Sequence, residues 1–269
     1  MKNENEKTEM RSFKGSLGQY KFLSTKDKTP TLFSEAFQEA CHSLDGAWEE
    51  TCFNYLEGCE IPQKSKEGHL SILEVGFGPG VGLQVVSEFF QKKRPYKSFS
   101  FYSFELDRGL VEWALTHWPS KCLPLEGEFI EDGDLSFFKG KIGKGEILIF
   151  MGDARKTLLM AKEKNLLNPI QAIFQDPFSP KKNPSLWTLE WFHDLRSVSS
   201  QDVLLSTYSS SSSIRKSLKE AGWILTNAPG FSSKRTSTRA RLVGPVDQDL
   251  EAKLERVPFG PLLDEDLSL

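Results

Sequence analysis

The sequence predicts an α/β fold, a mostly parallel sheet doubly wound with helices on both faces. Short apolar runs alternate with helical patterns, a glycine-rich turn follows the first run, and four of the five runs end in or beside a carboxylate. At 269 residues with 38% hydrophobic content, the chain can bury a full core.

The expected elements follow in order. Residues 1–60 form an N-terminal extension, 61–244 the main domain and 245–269 a Pro-rich, acidic tail. Within the extension, 31–56 reads as helical, because Leu32, Phe33, Ala36, Phe37 and Ala40 recur at helical spacing before a break at Asp45-Gly46. Strands are expected at 71–75, 100–105, 146–150, 172–175 and 203–208, with helices at 81–90, 109–117, 154–164, 189–198 and 214–221. The runs 223–228 and 240–243, joined by Pro229-Gly230 and a basic link, read as an antiparallel hairpin closing the sheet. The tail, ending in Asp264, Glu265 and Asp266, is expected to lack assigned structure or to dock loosely.

Composition narrows the function. No apolar run approaches the ~20 residues that cross a bilayer, and the Lys- and Glu-rich start lacks a signal-type segment, so the cytoplasm is the expected compartment. Cys41, Cys52, Cys59 and Cys122 form no C-x-x-C pair and the histidines no H-x-x-x-H, so neither disulfides nor a metal site are expected. A net charge of −3 argues against a broad phosphate-binding face; any nucleic-acid contact must be local.

The most informative motif is Glu74-Val75-Gly76-Phe77-Gly78-Pro79-Gly80. Its glycines alternate as G-x-G-x-G, whereas a dinucleotide fingerprint needs G-x-G-x-x-G. An acidic residue before such a turn suits a ligand carrying an ammonium or a ribose, and S-adenosylmethionine carries both without a phosphate. A tight strand-to-helix turn with no ligand is the other reading. Glu105 closes the second strand, where a carboxylate can accept both ribose hydroxyl hydrogens. Asp153 stands where the third strand meets a helix, as an N-cap or as an acceptor for the adenine amino group. Glu74, Gly76, Gly78, Gly80, Glu105 and Asp153 are thus the candidate cofactor residues.

Chemistry is expected at Asp176-Pro177-Phe178, after the fourth strand. There a carboxylate and a backbone carbonyl can aim at one amino group while the Phe178 ring stacks on a planar base, which suits methylation of nitrogen. Asp176 and Phe178 are the candidate catalytic residues; a Pro-rich turn with Phe178 in the core is the alternative. Trp187 and Trp191 read as core, and His193 and the cysteines as packing or surface. Lys181, Lys182, Arg215, Lys216, Lys219, Lys234, Arg235, Arg239 and Arg241 fall in segments near one sheet end or its flank and could track phosphates.

The run from Asp176 to Thr188 resembles the D-x-F-[SA]-P-x-K-N-P-x-[LM]-W-[ST] signature of the methyltransferase half of the bifunctional tRNA 5-methylaminomethyl-2-thiouridine biosynthesis proteins and their stand-alone relatives. Gly76-Phe77-Gly78-Pro79-Gly80 is similar to that family's G-F-G-T-G, Gly152-Asp153 to its G-D, and Pro229-Gly230-Phe231 through Lys234-Arg235 to its P-G-F-G-x-K-R. Arg215 stands in the place of its V-R-R-x-L, and 43–50 is similar to its Glu-Glu entry. Departures include Pro79 for Thr, Pro177 for Gly and Thr207-Tyr208-Ser209 for T-F-T. The resemblance implies a class I, Rossmann-like methyltransferase using S-adenosylmethionine to convert 5-aminomethyluridine to 5-methylaminomethyluridine at the wobble position of the tRNA anticodon loop. From the basic segments, Lys181, Lys182, Arg215, Lys234 and Arg235 are the RNA-binding candidates. The sequence ends at Leu269 without an oxidase-like segment, so the expectation is a stand-alone form supplied by a separate upstream enzyme or oxidase. Two other readings stay open: a polyamine-synthase-like enzyme acting on a small amine, and an inactive cofactor- and RNA-binding module.

Overall fold

A computed structural model describes residues 12–95, 97–119 and 122–267. The chain begins with an antiparallel sheet of strands β1 (Ser12–Lys14), β2 (Gln19–Ser24), β3 (Pro30–Ser34) and β4 (Glu39–Ala40), in that order. Helix α1 (Ala47–Thr51) runs on into a π-helical segment, Cys52–Glu57, before the short α2 (Ile61–Lys64). The main domain then alternates: β5 (Leu70–Val75), α3 (Val81–Lys93), β6 (Phe99–Glu105), α4 (Arg108–Thr116). A hairpin of β7 (Glu126–Asp132) and β8 (Leu135–Ile142) leads to β9 (Gly145–Met151), α5 (Ala154–Glu163) and β10 (Ile170–Gln175). Next come α6 (Leu189–Ser197), β11 (Ser199–Thr207), α7 (Ser212–Glu220), β12 (Ile224–Pro229), β13 (Thr236–Arg241) and α8 (Gln248–Glu255).

The large sheet has the order β12-β13-β11-β10-β5-β6-β9-β8-β7. Its centre, β11-β10-β5-β6-β9, is parallel, and antiparallel hairpins finish both edges. Because side chains alternate along a strand, β5 serves two cores at once. Leu73 and Val75 pack with residues of α5, α6, α7 and α8 on one face, whereas Ile72 packs with α3, α4 and the π-helical segment on the other. Trp187 and Trp191 are fully buried in the first of these cores, as the sequence predicts.

Two expectations are corrected. The extension is a sheet before it is a helix: β3 buries Thr31, Leu32 and Ser34, and Gln38 takes a left-handed backbone (φ 52°) that turns the chain into β4. The spacing that reads as helical is shared by a strand, a hairpin turn and a second strand. Nor is the tail loose. Leu250 and Leu254 of α8 are buried, Leu189 N donates to Leu262 O (2.8 Å), and Arg155 pairs with Asp264 through both guanidinium nitrogens. The β7–β8 hairpin is an addition to the expected elements.

One side chain pins the extension to the domain. Asp107, fully buried at the N-cap of α4, accepts from Leu110 N in its own helix. It also accepts from Ser16 N (2.7 Å), Leu17 N (2.9 Å) and the Tyr20 hydroxyl (3.1 Å) of the N-terminal sheet. Asp107→Ala strips a helix cap and leaves buried donors unpaired. It is expected to lower stability by about 2–4 kcal/mol in urea melts and to expose residues 12–24 to proteolysis before the rest of the chain.

Candidate active site

The site forms where β5 and β10 lie side by side, at the point where the strand order runs outward in both directions. Their register pairs Phe174 with Glu74 and Gln175 with Val75, so Gly76 and Asp176 leave the sheet together. Asp176 N donates to Val75 O (3.2 Å), and a Cβ built on Gly76 would lie 2.8 Å from the Asp176 carbonyl oxygen. With φ at 93°, Gly76 also holds a backbone conformation that side chains disfavour. The glycine turn and the carboxylate loop therefore line one cavity of about 550 Å³.

The candidate cofactor residues divide by position. Gly76, Gly78, Glu105 and Asp153 line the cavity. Glu105 accepts from Gly78 N (3.0 Å) through one oxygen and from Asp107 N (3.1 Å) through the other, leaving a lone pair on each for a diol. Burial raises its carboxyl above the usual range, against the pull of the two N–H groups. Asp153 combines its two expected placements, capping α5 through Arg155 N (3.0 Å) while facing the cavity.

Glu74 and Gly80, in contrast, are not among the lining residues. The Glu74 carboxyl is buried behind the turn, accepts from Ser103 Oγ (2.7 Å) and occupies the space a Cβ on Gly82 would need. It supports α3 from below, because the strand's alternation sends its side chain into the sheet face and not beyond the strand end. Gly80 takes φ 79° at the N-cap of α3 and abuts the Phe77 ring, shaping the turn from outside the cavity.

The Asp176-Pro177-Phe178 loop is held by three side-chain donors. Tyr55 Oη donates to Asp176 Oδ1 (2.5 Å), Tyr208 Oη to Pro177 O (2.9 Å) and Trp187 Nε1 to Phe178 O (2.9 Å). Burial raises the Asp176 carboxyl well above the carboxylate range, and Glu50 adds to the rise; the Tyr55 hydrogen bond and Lys234 pull it down. Phe178 lines the cavity with Phe37 stacked on it at 4.4 Å.

The N-terminal extension, from the turn before β4 through α1, supplies one wall. Phe37, Glu39, Cys41, His42, Ser43 and Glu50 all line the cavity. Glu39 accepts from both Ser179 N (3.2 Å) and Ser179 Oγ (2.7 Å), clamping the 176–180 loop. His42 is drawn down to about 4 by burial, so its imidazole is neutral at pH 7. Cys41, expected in packing or on the surface, faces this wall above Gly78. The Glu49-Glu50 pair within the family-like entry was the one available signal.

The basic track shortens. Arg215 is buried, donating to Thr238 Oγ1 (2.9 Å) and Ser237 O (3.1 Å), so it braces β13 and cannot face RNA. Lys216 donates to Val257 O, Lys219 pairs with Glu251, and Arg239 is half-buried against its own strand. Lys181, Lys182 and Arg235 stay exposed. Lys234 lines the cavity, its Nζ 3.8 Å from Glu50 Oε1 and 4.5 Å from the Tyr208 ring centre. Among the described residues there is no metal-holding group of His, Cys, Asp and Glu, and no helix long and apolar enough to cross a membrane.

Size and donor set suit S-adenosylmethionine: side-chain-free turns at Gly76 and Gly78, a diol acceptor at Glu105 and a second acceptor at Asp153. Comparison with known proteins agrees. Residues 135–243 match the family of S-adenosyl-L-methionine-dependent methyltransferases. The tRNA 5-methylaminomethyl-2-thiouridine biosynthesis bifunctional protein MnmC of Azoarcus sp. (strain BH72) is 31% identical over 242 residues, covering 86% of this chain and 37% of that protein. The protein of the same name from Leptospira interrogans serogroup Icterohaemorrhagiae serovar copenhageni is 29% identical, with 85% and 36% covered. The chain thus spans a little over a third of the length of these relatives. The crystal structure of MNMC2 from Aquifex aeolicus superposes with a TM-score of 0.72 at 27% identity, covering 93% of this chain and 80% of that one. Replacing Glu105 with Ala is expected to weaken S-adenosylmethionine binding about ten- to a hundred-fold by calorimetry, the loss that follows removal of charge-assisted acceptors. Gly76→Ala should weaken it too, because the added methyl meets the Asp176 carbonyl.

Proposed function

We propose that this S-adenosyl-L-methionine-dependent methyltransferase methylates the primary amine of 5-aminomethyluridine, with or without 2-thiolation, at the wobble position of tRNA, giving 5-methylaminomethyluridine. The observation that carries this reading is the contact between the Gly76 turn and Asp176, which brings a nitrogen-orienting carboxylate to the edge of the cofactor turn. The names of the relatives supply the substrate.

When bound, S-adenosylmethionine supplies an electrophilic methyl group on a sulfonium, whose leaving group is a neutral thioether that needs no acid assistance. What the protein must add is alignment and a proton acceptor. Asp176 Oδ1 is taken by Tyr55, so Oδ2 is the carboxylate oxygen left to accept an amine hydrogen. Holding that hydrogen turns the nitrogen lone pair toward the methyl carbon. Once the amine has been methylated, Oδ2 would take its surplus proton. Phe178, braced from behind by Phe37, gives the base an aromatic wall, and the single-stranded anticodon loop lets that base be splayed into the cavity. Exposed Lys181, Lys182 and Arg235 would meet phosphates around the mouth, and Lys234 lies at the cavity itself. The aminomethyl group is made upstream of this methyl transfer, and a tRNA substrate fits a cytoplasmic enzyme.

The test incubates the protein and labelled S-adenosylmethionine with tRNA carrying or lacking the 5-aminomethyl group; label is expected only in the first. Label in a free polyamine and in neither tRNA would replace this reading with the small-amine one. Asp176→Ala should cut turnover at least a hundred-fold while cofactor affinity stays within a few-fold. Lys182→Glu with Arg235→Glu should weaken tRNA binding and make it less salt-dependent, flattening the log–log slope by about one for each phosphate that is no longer neutralised.

A further inference from the structure

Tyr55 belongs to the extension, yet its side chain reaches the centre of the site. The residue is almost fully buried, its ring stacks on Phe174 at 5.3 Å, and its hydroxyl donates to Asp176 Oδ1 at 2.5 Å, with Gln175 O at 3.5 Å. The backbone that delivers it is irregular. Cys52–Glu57 is π-helical, a form that is rare and gathers at functional sites. Beside Tyr55, Asn54 is buried with neither amide atom hydrogen-bonded among the described residues, an arrangement a stability-driven helix would avoid. Two contacts hold the segment in place: Ser206 Oγ of β11 donates to Asn54 O, and Cys59 Sγ donates to Ile173 O of β10.

The surroundings show what the phenol must do. Glu50 and Glu39 bring negative charge toward Asp176, burial pushes the Glu74 carboxyl well up, Cys41 and Tyr208 are neutral neighbours, and Lys234 is the nearby cation. Lys234 stands off at the mouth, against Glu50 and the Tyr208 ring. A donor fixed on Oδ1 is therefore the closest support for the ionised carboxylate, and among the described residues no side chain donates to Oδ2.

Building on the assignment of Asp176 as acceptor of the amine's hydrogen and proton, we propose that Tyr55 is the positioning residue of the reaction: its hydroxyl locks Asp176 Oδ1, so that the ionised Oδ2 meets the amine. Tyr55 touches no reacting atom; it acts through Asp176.

The experiment compares the full-length wild type with Tyr55→Phe. The variant should lose about ten-fold or more in kcat with the KM for S-adenosylmethionine within about two-fold. Its acid limb of kcat/KM should move to higher pH, because the lost hydrogen bond was one of the influences lowering the Asp176 carboxyl. Titration of the Asp176 side-chain carbon by NMR, with S-adenosylhomocysteine bound and Asp176→Asn used for assignment, should move the same way and needs no acceptor substrate. If Tyr55→Phe does not fold, 3-fluorotyrosine incorporated at position 55 keeps the shape with a stronger donor and should move the limb and the titration to lower pH. An unchanged limb and an unchanged titration in the folded variant would overturn the proposal. A shifted titration in a protein that does not label aminomethyl-tRNA would uphold Tyr55 and reject the substrate assignment instead.

Discussion

The structure turns on one close approach, that of the Gly76 turn to the Asp176 carbonyl. Neighbouring parallel strands in register deliver both elements to the same edge, and the missing side chain at Gly76 lets them touch. A larger residue there would push the cofactor turn and the carboxylate loop apart. Reaction geometry of this kind tolerates little displacement, since alignment is most of what a methyl transfer asks of its protein. That explains why so many side chains are committed to the loop after β10: Tyr55, Tyr208 and Trp187 donate to it, and Glu39 accepts from its Ser179.

Electrostatics point the same way. Glu105 and Asp176 are carboxyls held above their usual range by burial, and both face the cavity. Buried carboxylates without full compensation are costly, so a site that keeps them gains from a cationic occupant. A sulfonium donor and an amine acceptor are such occupants. Lys234, beside Glu50 and the Tyr208 ring, supplies partial compensation from the mouth without filling the cavity.

What is legible in the sequence is local. The Gly76 turn, the strand-end acids and the Asp176 loop each announce themselves within a few residues, through turn chemistry and apolar runs bounded by polar breaks. The extension misleads because Leu32, Phe33, Ala36, Phe37 and Ala40 satisfy helical spacing while belonging to two strands and the turn between them; the left-handed Gln38 that decides the matter carries no sequence mark. The β7–β8 hairpin escapes because β7 is almost wholly solvent-exposed and shows no apolar run, so the Asp132-Gly133 turn and the apolar residues of β8 have no partner strand legible before them. Arg215 reads as an RNA residue because charge is visible in sequence but direction is not: it occupies the inward face of α7, where its guanidinium ties down β13. Tyr55 is invisible for the same reason, since no periodicity predicts a π-helical turn.

The extension is therefore part of the site. Its own apolar cluster is small, centred on Tyr20, Leu32 and Leu110, and Leu110 comes from α4 of the main domain. A cluster of that size cannot hold four short strands alone. Attachment is shared between the packing of Tyr55, Leu56 and Cys59 on the main core and three polar anchors: Asp107 on the N-terminal strands, Glu39 on Ser179 and Tyr55 on Asp176. Each anchor joins the extension to a loop that follows a parallel strand, either β6 or β10. Two of these contacts, Glu39 with Ser179 and Tyr55 with Asp176, also fix the loop after β10, so that loosening the extension loosens that loop.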